Sequence, residues 1–100
     1  MTPLRDLARK PRPPPLDAAL RRNYPADHRR RGVEGQAEVR VLITADGRVG
    51  QTDVLSESGA GFGRACRDTL LGTRWSQPVS QEGRPVNTLL TYRCRFKVGD

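Results

Sequence analysis

From Gln36 to Ala45 the side chains alternate, with Ala37, Val39, Val41 and Ile43 on one face and Glu38, Arg40, Leu42 and Thr44 on the other. A period of two marks a strand with one face buried and one wet. Asp46-Gly47 follows and predicts a hairpin turn with both residues at positive φ. The returning strand, about Arg48 to Ser56, is less regular. Val49 and Val54 have opposite parity, so both reach the core only through a bulge, expected near Gly50–Thr52.

The segments on either side read as helices that cover this hairpin. Pro25 suits the first position of a helix, with Asn23 or Tyr24 just outside as cap. Arg29-Arg30-Arg31 favour the negative end of its dipole, and Gly32 fits the left-handed position after the last turn. A short helix is expected from about Pro25 to Arg31. After the loop Ser56–Gly61, Phe62, Ala65, Cys66, Thr69 and Leu70 recur at helical spacing and form an apolar stripe, ended by Gly72. Trp75 and Pro78 lead through a polar turn into a long alternating run, Arg84 to Lys97. Val86, Thr88, Leu90, Tyr92, Cys94 and Phe96 share one face of that strand. Arg93, Arg95 and Lys97 crowd its end on the other, one of the devices by which edges discourage uncontrolled pairing. The expectation is an α+β fold, a three-stranded antiparallel sheet with two helices packed on one face in the order α-β-β-α-β, the last strand at an edge.

Residues 1–16 read differently. Lys10-Pro11-Arg12-Pro13-Pro14-Pro15 lacks donors for regular structure and apolar surface to bury, so a basic polyproline II linker is expected, with the domain proper at 17–100. Leu16 to Leu20 fits a helical turn capped by Asp17. The net charge is +7, and residues 1–34 hold nine Lys/Arg against four Asp/Glu. Such a balance attracts an anionic partner: nucleic acid, lipid headgroups, an acidic peptide or a cell-wall polymer. It is also what keeps a small protein soluble. At 100 residues the chain holds one modest core, so a groove or an edge is a better working surface than a deep pocket. No apolar run is long enough to span a membrane and there is no signal peptide. With Met1 as natural start the chain is cytoplasmic; with Met1 heading an excised domain, an anchor lies upstream.

Nothing in the sequence supports catalysis. His28 is the one histidine and has no second ligand at metal spacing, so neither metal nor cofactor is expected. Every serine lies in a turn or loop, and Gly59-Ala60-Gly61-Phe62-Gly63 lacks the Lys-Ser/Thr of a phosphate loop. The Arg29–Arg31 run suits phosphates, but no aromatic pair is displayed on a wet sheet face, so nucleic acid is not the favoured partner. Cys66 and Cys94 both point to the core. They are read as free thiols filling small spaces, with a helix-to-sheet disulfide as the alternative.

Taken in order, Tyr24-Pro25, Arg29, Glu34-Gly35, the alternating valines, Asp46-Gly47-x-Val49, Ser58-Gly59, Phe62, Trp75, Pro78, Gly83-x-Pro85-Val86 and Tyr92-x-Cys94-x-Phe96 resemble the C-terminal domain of the TonB family across residues 20–98. The upstream basic, proline-rich stretch fits the same pattern. Gly63 departs from it where an acidic residue usually follows the phenylalanine, and His28 where an alanine usually stands. The resemblance implies a periplasmic domain of an inner-membrane energy transducer that works with ExbB and ExbD. Such a domain grips outer-membrane transporters by pairing an edge strand with their TonB box. It implies receiving positions at Asn87, Leu89, Thr91, Arg93 and Arg95, with supporting contacts from Arg21, Asn23, Asp27 and Arg29. The same edge also suits a homodimer. A TonB-like adaptor in a motility or cell-wall complex is the alternative function, and a basic binder of nucleic acid or cell-wall polymer a third.

Overall fold

The computed structural model describes residues 1–99. Chain order is a 3-10 turn (Leu4–Asp6), β1 (Leu7–Arg9), α1 (Asp17–Arg22), α2 (Ala26–Arg30), β2 (Gly35–Ile43), β3 (Val49–Glu57), α3 (Phe62–Leu70), β4 (Val79–Ser80) and β5 (Thr88–Phe96). The alternation of β2 decides the architecture. Ala37, Val39, Val41 and Ile43 are almost completely buried, and β2 lies at the centre of an antiparallel sheet ordered β3-β2-β5. The α3 stripe covers that buried face, with Phe62, Ala65, Cys66, Thr69 and Leu70 all inside. Leu16, Tyr24, Trp75, Cys94 and Phe96 complete the same core. The sheet and its helices on one face are as the sequence predicts, with the turn expected at Leu16–Leu20 extended into α1 beside the short helix α2.

Several local expectations need correction. Asp46 does not take positive φ; only Gly47 does, at 85°. The Gly47 N–H reaches the Thr44 carbonyl and the Thr44 N–H the Arg48 carbonyl, both at 2.9 Å. The hairpin is therefore a three-residue loop closed by a left-handed glycine. Pro25 stands just before α2 instead of inside it, and Leu16, not Asp17, precedes α1 with no side-chain cap. The Arg84–Lys97 run does not form one strand. Its first part folds back on β4, with Ser80 N–H bonded to Arg84 carbonyl (2.8 Å) and Val86 N–H to Pro78 carbonyl (3.0 Å), so β5 starts at Thr88.

The β2–β3 register slips twice. One slip lies between the Val41–Thr52 and Ile43–Val49 pairs, at the expected place; the other inserts Leu55 between the partners of Glu38 and Val39. The first brings Val49 back to the core and the second sets Val54 opposite Val39, against α3, where it lies 2.6 Å from the Cβ position of Gly63.

Residues 1–16 do not run free. Leu7 and Leu16 are buried, β1 pairs with β4, and Arg12 and Ser76 exchange two hydrogen bonds of 2.8 and 3.0 Å. Leu7, Pro11 and Leu16 are the buried residues that hold this stretch down.

Cys66 and Cys94 form a disulfide with Cα atoms 5.7 Å apart, inside the range that such a bond spans. The free-thiol reading is thereby overturned: helical spacing on α3 and alternation on β5 aim both side chains at one point. The bridge ties the edge strand to the helix that covers the sheet.

Candidate functional site

The sheet has two outer strands, and β5 is the regular one. It pairs with β2 without a slip from Gly35–Phe96 to Ile43–Thr88. The direction of its unused backbone groups follows from its neighbours. Gln36 carbonyl accepts from Ser58 N–H (2.9 Å) and Thr44 N–H donates to Arg48, so even-numbered residues of β2 serve β3 and odd-numbered ones serve β5. The register then turns the even-numbered residues of β5 toward β2. Leu89, Thr91, Arg93 and Arg95 are left with backbone N–H and C=O pointing off the sheet.

Beside this edge α1 and α2 form the wall of an open groove of about 700 Å³. Among the described residues Arg21, Arg29, Arg93, Arg95 and Lys97 line it against one carboxylate, Asp17. Tyr24, Tyr92 and Phe96 give it an aromatic floor. Tyr24 packs edge-on against Phe96 at 5.5 Å, its hydroxyl donates to Val33 carbonyl at 2.7 Å, and Arg29 lies over its ring at 5.7 Å. Burial raises the Tyr24 pKa, with Glu34 adding to the effect, so the hydroxyl stays a donor. Tyr92 is also pushed up, by burial first and then by Asp17. The groove is therefore a cationic channel on rigid neutral rings, suited to carboxylates beside an added strand.

The nine residues expected at the site divide into two groups. Arg21, Arg29, Arg93 and Arg95 meet in the groove, and Leu89 and Thr91 continue the same edge. The other three face elsewhere. Asn23 donates through Nδ2 to Thr69 Oγ1 (3.0 Å) and so fastens α1 to α3. Asp27 pairs with Arg30 on the exposed face of α2. Asn87 accepts the Ala45 N–H through Oδ1 (2.8 Å) and closes the β2–β3 turn. Sequence reasoning missed Asp17, Lys97, Tyr24, Tyr92 and Phe96 as groove residues. Lys97 carried a signal, since it continues the Arg93, Arg95 alternation.

His28 is a packing residue. Its ring stacks on Phe62 with centroids 4.5 Å apart, and Nε2–H donates to the Ala60 carbonyl at 2.9 Å, holding α2 to the start of α3. Among the described residues there is no His/Cys/Asp/Glu cluster able to hold a metal ion, and no helix is long and apolar enough to cross a membrane.

Residues 21–98 match the family of the Gram-negative bacterial TonB protein C-terminal domain. The chain belongs to this family. It is similar in structure to the TonB C-terminal domain of Pseudomonas aeruginosa solved by solution NMR, with 29% identity and a TM-score of 0.69 over 100% of this chain and 96% of that one. Comparison with curated proteins gives no match. The TonB C-terminal family is one of non-enzymatic transducer domains.

Proposed function

We propose that this domain is a periplasmic peptide-binding module that couples inner-membrane energy, supplied by the proton-motive force through ExbB and ExbD, to outer-membrane TonB-dependent transporters. The coupling contact is strand addition of a TonB box to the free edge of β5. The observation that carries this reading is the edge itself: nine residues in unbroken register with β2, with the backbone groups of Leu89, Thr91, Arg93 and Arg95 unpaired by the sheet. Main-chain hydrogen bonds supply affinity in such a mode, and flanking side chains supply selectivity. Arg21, Arg29, Arg93 and Arg95 would act on carboxylates beside the added strand, while Asn23 and Asn87 hold the scaffold in place. The Cys66–Cys94 disulfide supports an oxidising compartment such as the periplasm.

Amide NMR titration of the labelled domain with TonB-box peptides at physiological salt tests the reading. Shifts should concentrate from Leu89 to Arg95 and on the groove faces of α1 and α2. Concentration-dependent shifts along β5 without peptide would identify a second copy of the chain as the occupant of the edge. No shift with any peptide, in a folded monomer, would leave an envelope adaptor as the better reading.

A further inference from the structure

The free edge of β5 is not free along its whole length. Thr2 N–H donates to the Asn87 carbonyl at 3.0 Å, and Thr88 Oγ1 donates to the Thr2 carbonyl at 2.8 Å. Asn87 has the parity of Leu89, Thr91, Arg93 and Arg95, so its carbonyl is the next rung on the same open side. The chain thus makes the first hydrogen bond of an added strand with its own residue. Thr2 is held there by the strap behind it: the 3-10 turn packs on β5, Leu7 is buried, and β1 pairs with β4. Further along, Arg12 and Ser76 hold the strap's other end.

We propose that this strap sets the register of strand capture. Thr2 is an end stop. It excludes an added strand from Asn87 and confines it to Leu89, Thr91, Arg93 and Arg95, so the end of the peptide beyond Arg95 must lie in the cationic groove. A partner that fits has a short stretch able to pair as a strand and carries its carboxylates at the groove end. The strap belongs to a less stable unit than the core. Leu7 lies outside the main hydrophobic cluster, and two-stranded pairings such as β1–β4 are marginal alone. Stop and core can therefore be separated by mutation.

The proposal rests on strand capture at β5, and its test separates the two. Thr2→Pro removes the N–H that occupies the Asn87 carbonyl, and Leu7→Ser unseats the strap from its buried contact. A nine-residue synthetic TonB-box peptide with a spin label at either end is titrated into the intact chain and both variants, and broadening of domain amides gives its register. In the intact chain the broadening from the label at the Asn87 end should be centred on Leu89. In the variants that centre should move to Asn87, with affinity rising roughly threefold to tenfold, the worth of one backbone hydrogen bond. An unchanged register and affinity in both variants overturns the end stop alone. Failure of the peptide to bind any of the three proteins overturns the end stop together with the strand-capture reading.

Discussion

The two outer strands of the sheet have the same length and opposite characters. β3 slips register twice against β2, at Leu55 and again between Thr52 and Val49, whereas β5 keeps one register over all nine residues. Bulges bend and twist a strand and spoil it as a template for pairing. β5 has no bulge and carries charge instead, and it is backed from within by Phe96, Leu90 and Tyr92 in the core and by a covalent tie to α3 through Cys94. An edge that is straight, supported and basic, beside one that is broken, is an arrangement in which one side is closed to partners and the other left open. The comparison also explains the disulfide, which sits on the strand that would carry the load and not on the strand that is blunted.

The largest expected effect comes from removing that support. Cys66→Ser with Cys94→Ser opens a closure spanning 28 residues in sequence, and chain entropy puts the loss at roughly 3–4 kcal/mol. Urea unfolding under non-reducing conditions measures it, and reductant should lower the parent to the same midpoint while leaving the variant unmoved. Next comes a change that erases the difference between the edges. Deleting Leu55 brings Val54 and Ser56 into continuous pairing with Val39 and Glu38. A straightened β3 should self-associate, seen by sedimentation as a concentration-dependent rise in mass that the parent lacks at equal concentration.

Smaller again is the contribution of groove charge. Arg95→Ala, and likewise Arg21→Ala, should weaken binding of an acidic TonB-box peptide about two- to fivefold, as expected of exposed ion pairs. The loss should shrink as salt rises. Least of all is the ion pair across the open face. Arg93 holds Glu38 at 2.9 Å, and the hydrogen bond first, then the arginine's charge, depress the Glu38 pKa. A carboxyl whose folded pKa lies below its unfolded value stabilises above that unfolded value and loses the effect as pH falls through the folded one. The parent should therefore lose a small increment of stability on acidification below the ordinary carboxylate range, and Glu38→Gln should remove that increment.

The sequence was informative wherever a side chain's face follows from its spacing. Alternation placed Val39 and Val41 in the core, helical spacing did the same for Cys66 and Leu70, and the crowding of Arg93 and Arg95 marked β5 as an edge. It was less informative where folding depends on contacts between distant residues. The leucines that hold the strap, Leu7 and Leu16, stand nine residues apart among prolines and arginines and form no periodic pattern. The fold-back of Arg84–Val86 onto Pro78–Ser80 interrupts an alternation that reads as continuous. The Leu55 bulge left no local mark, because only the partner strand shows which residue is extra. Among the site residues, Asn23 and Asn87 look like polar contacts to a partner, yet each satisfies a backbone or side-chain group of the fold that sequence cannot bring near it.

Thr91→Pro tests the central claim most directly. Its N–H points away from β2, so proline there removes one rung from the open side while leaving the β2 ladder intact. Calorimetric titration of a TonB-box peptide into this variant should give roughly threefold to tenfold weaker binding than the parent, with an unchanged melting temperature. Equal affinity in the folded variant would contradict strand capture on β5.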